Sequence, residues 1–262
     1  MPFTPSHAVV ALPFVRTRLI PAAIAVGAMA PDLPLFVRVL VPRYSVTHDL
    51  VWLPLTTLLA LALLLVWRCV LRPAARELAP VWLAERLPRP WDAGSRAAVR
   101  ETFPSGRGVV LLFASLALGV VSHIVWDLFT HEGRWGVSAI PALAAHWGPL
   151  TGFKWLQHGS SVVGLAIIAA WAVVWLARRM PGGVDRTLPG WVRWAWWVSL
   201  PAFLLVALAS GFASTGPFTD EWTPAHLAYL VLPPACAAWG IGTLILAALI
   251  QLVRVRRIAA LT

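Results

Sequence analysis

The residues able to do chemistry gather in one stretch, Ser122-His123-Ile124-Val125-Trp126-Asp127-Leu128-Phe129-Thr130-His131-Glu132-Gly133. It closes an apolar run that begins near Gly108. Read as a helix, it places His123, Asp127 and His131 every fourth residue. Positions i, i+4 and i+8 lie along one face. Two imidazoles and a carboxylate on one stripe form a ligand set for a divalent cation, and the lack of cysteine suits zinc, manganese or iron. A buried hydrogen-bonded His–Asp couple is the plainer account of any two of them. Three in register at the end of an apolar helix favour the ligand reading, because ionisable groups inside a membrane mark function. Glu132, beside the stripe, has the chemistry of a general base or of a solvated helix-end residue.

The elements that must hold these residues are apolar helices. The 262 residues are 59% hydrophobic and 12% charged, with a mean hydropathy of +0.76, which excludes an ordinary soluble domain. Runs of about 20 apolar residues recur, the length that crosses a bilayer. The predicted fold is all-α: a polytopic membrane helix bundle of about five full spans with an N-terminal broken or re-entrant helical hairpin. Residues 1–262 read as a single membrane domain, with a motif-bearing core over 1–180. The spans fall at Leu50–Val70, Gly108–Thr130, Val162–Leu176 with its flanks, and two more within 194–253, the last bent at Pro233-Pro234. Residues 71–107 form the one long polar loop, with Ala74–Leu87 a candidate helix lying at the interface. The apolar segment 6–15, which carries His7, is too short to span. The opening MPFTPSHAVVALPFVR has no basic residues ahead of its apolar part and does not read as a cleaved signal peptide. Leu19–Ala30 follows, broken at Ala30-Pro31-Asp32-Leu33-Pro34 and continuing through Phe36 towards Val41. Prolines around Asp32 expose backbone polar groups. At membrane depth that is tolerated only where protein or a cavity surrounds it, so Asp32 is expected to face away from lipid. Thr47 or Ser45 is the expected cap of the helix that starts near Leu50. Gln157 and Ser160 read as caps of a helix starting near Gly159 or as support for metal ligands. Cys69 and Cys236 lie in different runs and suggest no disulfide or thiolate site.

The formal charge of +10 rests on arginine, Lys154 being the only lysine. Because these charges flank apolar runs, membrane lipid is the expected partner and nucleic acid is not. Excess arginine on the inner side puts residues 71–107, 178–193 and the C-terminus in the cytoplasm. His48, His123, Asp127, His131 and His158 then share one depth at the extracytoplasmic ends of their helices. Arg134 and Lys154 near that face are candidates for binding an anionic group, or simple interfacial anchors. His146 and His226 read as loop or interface residues. His7 lies about ten residues from Arg16, and about 1.5 Å per residue cannot cross a core of about 30 Å. Charge alone keeps His7 with Arg16 and Arg18 on the cytoplasmic side. A hairpin with those arginines deep within protein would return it to the other ligands.

The opening MPFTPSH, the GAMAPDLP turn, Thr47-His48, SHIVWDLFTHEG and LQHGS resemble the bacterial integral-membrane family DUF4184. The likeness is strong over residues 1–180 and loose beyond. That family is similar to membrane-bound metal-dependent hydrolase-like proteins and remotely to zinc-dependent phospholipase C. The resemblance implies Asp32, His48, His123 and Asp127 as a first metal set, His7 with Asp127 towards a second, and His131 and His158 as further ligands. It implies the N-terminal hairpin, zinc as cofactor with manganese and iron open, and a place in the bacterial inner membrane. The implied activity is hydrolysis of a phospholipid or lipid-linked phosphate ester at the extracytoplasmic face. The alternative from another class is a non-catalytic membrane protein, a transporter or one with a structural metal site.

Overall fold

A computed structural model describes residues 3–37 and 41–259. It is an all-α bundle in which five helices are long and apolar enough to cross a membrane. They are α2 (Leu50–Leu78), α3 (Gly106–Thr130), α4 (Gly152–Ala177), α5 (Gly190–Thr215) and α6 (Pro224–Ala259). Before them come a 3₁₀ helix, Thr4–Phe14, and α1, Pro21–Met29. Val162, Val163, Ile167, Val173 and Val174 of α4 are all exposed, as a lipid-facing surface requires and a water-facing one does not.

The chain forms two compact units. The first comprises Met1–Pro34, Val41–Val66 and Arg100–Arg178. Its centre is α3, whose buried residues Leu112, Ser115, Leu116, Gly119, Val120, His123, Ile124 and Asp127 alternate at three and four. That is the spacing of one helix face. The ligand stripe is the upper end of this buried stripe. α1 packs on it so closely that backbones touch: a Cβ on Gly119 would stand 2.2 Å from Ile24 O, and one on Gly27 2.3 Å from Leu116 O. Only glycine permits that approach. The 3₁₀ helix packs on α1 and α4, with Phe3 N–H donating to Ser161 Oγ at 2.9 Å.

The second unit comprises Leu35–Leu40, Trp67–Val99 and Arg179–Thr262. Ala74, Leu78, Ala247 and Ile250 form its core, flanked by Leu188 and Trp196. Here the helical reading of residues 71–107 needs correction. The helix expected to end at Val70 runs through a π segment, Trp67–Leu71, to Leu78. Helix is not continuous over Ala74–Leu87: it stops at Ala79-Pro80 and resumes for one turn at Val81–Ala84. Arg76 is buried because Asp92 pairs with it and the Ala84 and Gly183 carbonyls accept from it.

Other boundaries also shift. Asp49, not Thr47 or Ser45, caps the helix at Leu50, its Oδ1 accepting from Val51 N–H at 2.9 Å. α4 begins at Gly152 rather than near Gly159, after a two-stranded turn pairing His146-Trp147 with Leu150-Thr151. The expected continuation of the Asp32 segment reaches Phe36, and residues 38–40 of it lie outside the described residues.

Candidate metal centre

His123 and Asp127 are fixed first, being one turn apart on the buried face of α3. The break after α1 supplies Asp32: the chain leaves the α-helix at Ala30 for a 3₁₀ turn, Ala30–Asp32, that turns the carboxylate inward. Thr47 Oγ1 donates to Pro31 O at 2.7 Å and so ties the short helix Tyr44–Thr47 to that turn. His48 follows as its C-cap. The 3₁₀ helix brings His7, whose ring stacks on His123 with centroids 4.1 Å apart.

Four atoms then face one another. His48 Nε2 stands 3.2 Å from His123 Nε2, 3.5 Å from Asp32 Oδ1 and 3.6 Å from Asp127 Oδ2. His123 Nε2 stands 3.6 Å from Asp32 Oδ1 and 3.5 Å from Asp127 Oδ2. Each Nε2 thus stands 3.5–3.6 Å from a carboxylate oxygen of Asp32 and of Asp127, and the two carboxylates belong to different candidate groups, His7–Asp32–His123 and His48–His123–Asp127.

Protonation sharpens the point. His123 Nδ1 lies 2.7 Å from Ala28 O and His48 Nδ1 3.0 Å from Tyr44 O. A carbonyl only accepts, so both Nδ1 atoms carry hydrogen, and in the neutral rings both Nε2 atoms present lone pairs. Two lone pairs and two carboxylate oxygens therefore converge with no donor among them. Asp32 Oδ1, Asp127 Oδ1 and His7 Nε2 are buried without a hydrogen-bond partner. A proton on one imidazole would join the two nitrogens only, and a divalent cation in either candidate group would satisfy carboxylate oxygens as well. Asp32, His123 and Asp127 with His7 and His48 make up both candidate metal groups among the described residues.

Around this set stand residues that orient it. Thr4 Oγ1 donates to Asp32 Oδ2 at 2.7 Å. His7 Nε2 lies 4.0 Å from Asp127 Oδ1. Burial, then the neighbouring His123, lowers the His7 pKa to about 4, which keeps that ring neutral. His131 steps off the end of α3 with extended backbone, its Nδ1 3.5 Å from Asp127 Oδ2. Its side chain is 19% exposed, against 0–6% for His7, Asp32, His48, His123 and Asp127, so the cluster meets the exterior at His131. Gln157 Nε2 donates to His131 Nε2 at 3.4 Å, and Lys154 Nζ to Gln157 Oε1 at 3.3 Å.

The structure thus brings His7, Asp32, His48, His123, Asp127 and His131 together. It does not bring His158, which is exposed on α4 while its neighbour Gln157 is buried. Glu132 is exposed. Arg134 is half-buried, and Lys154 is half-buried with its amine also 5.5 Å from the Phe153 ring. Ser160 Oγ accepts from Trp126 Nε1 at 3.2 Å, a helix–helix tie. Arg16 and Arg18 are exposed at the hairpin turn rather than enclosed in protein. Thr4 was not singled out by sequence reasoning; its place three residues before His7 is the one signal it offers.

An integral-membrane helix bundle with a buried His/Asp cluster is the class these observations define. The chain belongs to the family described as Domain of unknown function (DUF4184), whose profile matches residues 1–252. No curated protein and no solved structure matches it significantly.

Proposed function

We propose that the protein is a membrane-embedded metal-dependent hydrolase of the multi-pass bacterial inner membrane. In this reading Asp32, His48, His123 and Asp127 hold one divalent cation, zinc above manganese or iron. The supporting observation is the convergence of the two Nε2 atoms, 3.2 Å apart, on a carboxylate oxygen of Asp32 and one of Asp127, each 3.5–3.6 Å away. A cation so held lowers the pKa of a bound water to about 7 and polarises a phosphoryl oxygen. The residues supply the rest. Ala28 O and Tyr44 O fix the two imidazoles in the tautomer that offers Nε2. Thr4 holds Asp32 through its outer oxygen, leaving Oδ1 to point inward. His7 Nε2 and Asp127 Oδ1, both unpartnered, remain as ligands towards a second position. His131, at the open side, can accept a proton or bind the incoming ester. Gln157 and Lys154 behind it bring a cationic group to that side, suited to an anionic substrate. The substrate class we propose is a phospholipid or lipid-linked phosphate ester, reached from the extracytoplasmic face, with the C-terminus in the cytoplasm.

One observation favours a second reading. The four proposed ligands are all nearly fully buried, as the ligands of a closed structural site are. A helix-tying metal in a transporter or scaffold would look the same at its first four ligands. His7 and His131, additional to those four, favour catalysis. The experiment measures metal per purified chain by mass spectrometry, then release of phosphate or headgroup from a lipid phosphate ester with zinc restored. About one or two metal ions in the wild type, lost in His123→Ala with Asp127→Ala, supports the centre. Equal and negligible metal in both overturns it. Metal present with no turnover of any phosphate ester selects the structural reading.

A further inference from the structure

The second unit contains a cavity of about 460 Å³ lined by Leu78, Ala79, Pro80, Val81, Arg186, Gly190, Arg193, Trp194 and Trp197. Its walls are apolar, and its charged groups are the two arginines. Both are held in place from behind. Arg186 donates to Ala79 O at 2.8 Å and to Glu77 O at 3.4 Å, both neutral carbonyls. Arg193 donates to Leu188 O at 2.7 Å and to Glu77 Oε1 at 3.3 Å. Glu77 is fully buried and also accepts from Thr187 N–H, Thr187 Oγ1, Leu188 N–H and Arg254. Its charge is therefore shared among several donors. In this network Arg76, Arg193 and Arg254 pair with two carboxylates, Glu77 and Asp92, and Glu85 also acts on Arg186, so four arginines stand against three acids. Positive charge remains in excess at the cavity. Burial and the nearby Arg193 both lower the Arg186 pKa, as two like charges side by side require.

The position fits one kind of ligand. The cavity sits at the last residues of α2 and the first of α5, the ends of two membrane-spanning helices. Trp194 is 74% exposed at its edge, and Trp191 beside it 70%, as tryptophans at the headgroup level are. A guanidinium pair recognises phosphate, and tryptophan and leucine walls take acyl chain. We propose that this cavity binds the phosphate headgroup of an anionic phospholipid, with Arg186 and Arg193 on the phosphate and Trp194 and Trp197 against the upper acyl chain. The site is distinct from the His/Asp cluster and does not depend on any activity there.

The test titrates the purified full chain in neutral detergent with short-chain phosphatidylglycerol, with the phosphatidylcholine analogue and inorganic phosphate as separate arms. Saturable binding of the glycerol lipid, at least about tenfold tighter than the choline lipid, is expected. Arg186→Gln should weaken it by about tenfold, the loss of a charge-assisted contact, while Arg107→Gln, at an exposed arginine, leaves it unchanged. Trp194→Ala replaces an exposed side chain and tests the site even where Arg186→Gln fails to fold; it should weaken lipid binding and leave inorganic phosphate unaffected. Equal binding of the two lipids, or an unchanged Arg186→Gln affinity, overturns the proposal. So does inorganic phosphate binding as tightly as the lipid, which assigns a free-anion site. Dimerisation by light scattering without lipid uptake overturns it as well and gives the cavity to a second copy of the chain.

Discussion

Replacing Gly119 by alanine adds one methyl group to the tightest contact in the first unit. The new Cβ would stand 2.2 Å from Ile24 O, 2.7 Å from Ala28 N and 3.0 Å from Gly27 C. All three atoms are backbone, so no side chain can swing aside. Ordinary contact needs ~3.5 Å, so α1 must retreat by about 1 Å. Overpacking of this size costs about 1–3 kcal/mol of stability. The retreat also acts on the cluster. His123 sits one turn above Gly119, and its Nδ1–H donates to Ala28 O at 2.7 Å. A shift of about 1 Å takes that pair to ~3.7 Å, beyond hydrogen-bond range. His123 then loses the partner that fixes its tautomer and orientation. Loss of such an outer partner costs about 10–100-fold in metal affinity. The assay is competition for zinc against a fluorescent chelator, run beside thermal unfolding of the same sample. Gly240→Ala is the control, because a Cβ there meets nothing within 4 Å. Wild-type zinc affinity and unfolding temperature in Gly119→Ala would refute both the backbone contact and its link to His123.

Thr4→Val keeps the shape but removes the donor to Asp32 Oδ2, and chelator competition should show zinc affinity reduced by about tenfold. Gln157→Leu cuts the link between Lys154 and His131, so turnover of an anionic ester should fall while metal content holds. Single cysteines at Ser138, Gly183 and Thr17, in a chain lacking Cys69 and Cys236, test the topology with an impermeant thiol reagent. Ser138→Cys should react in intact cells, and Gly183→Cys only after the membrane is opened. Thr17→Cys, at the exposed hairpin turn, should react slowly from either side if that turn lies within the bilayer.

How much of this was legible in the chain depended on whether a residue's place follows from its own helix. The His123–Asp127–His131 spacing does, because a period of four on an apolar helix has one geometry. The five spans do, because length and hydropathy set them. Partners from other elements do not. His158 and Gln157 differ by one residue, about 100° around a helix, and the start of α4 decides which faces inward. A start near Gly159 is suggested by polar Gln157-His158-Gly159-Ser160-Ser161; the helix instead opens at Gly152, after the turn at Gly148. Helix length beyond Val70 was hidden for a related reason. Arginines usually end a span, but Arg76 meets Asp92 and the Gly183 carbonyl, groups remote in sequence. Thr4 offered no periodic signal at all, since its hydroxyl finds Asp32 only once the N-terminal segment has folded back.

That folding back turns on the geometry of Thr4–Phe14. Eleven residues of α-helix would rise ~16 Å, whereas as a 3₁₀ helix they rise ~22 Å. The extra length carries the chain from His7 down to a turn near Ser115, whose Oγ accepts from Ile20 N–H at 2.9 Å. Ser115 lies eight residues below His123 on α3, ~12 Å along its axis. α1 then climbs the same distance to deliver Asp32 beside Thr4. The hairpin therefore enters and leaves at the level of the cluster, and His7 need not cross the bilayer. Its consequence is that Arg16 and Arg18 stand exposed near mid-length of α3, where an unshielded arginine costs about 2.5–3.5 kcal/mol on insertion scales. Nearby Thr17 Oγ1 donates to Phe14 O and closes the turn that carries them. The two guanidiniums must reach water by extending towards the Gly106 end of α3, nine residues or ~14 Å from Ser115. Labelling of Thr17→Cys tests this placement: rapid reaction from either side would put the turn in water and remove the arginines from the bilayer.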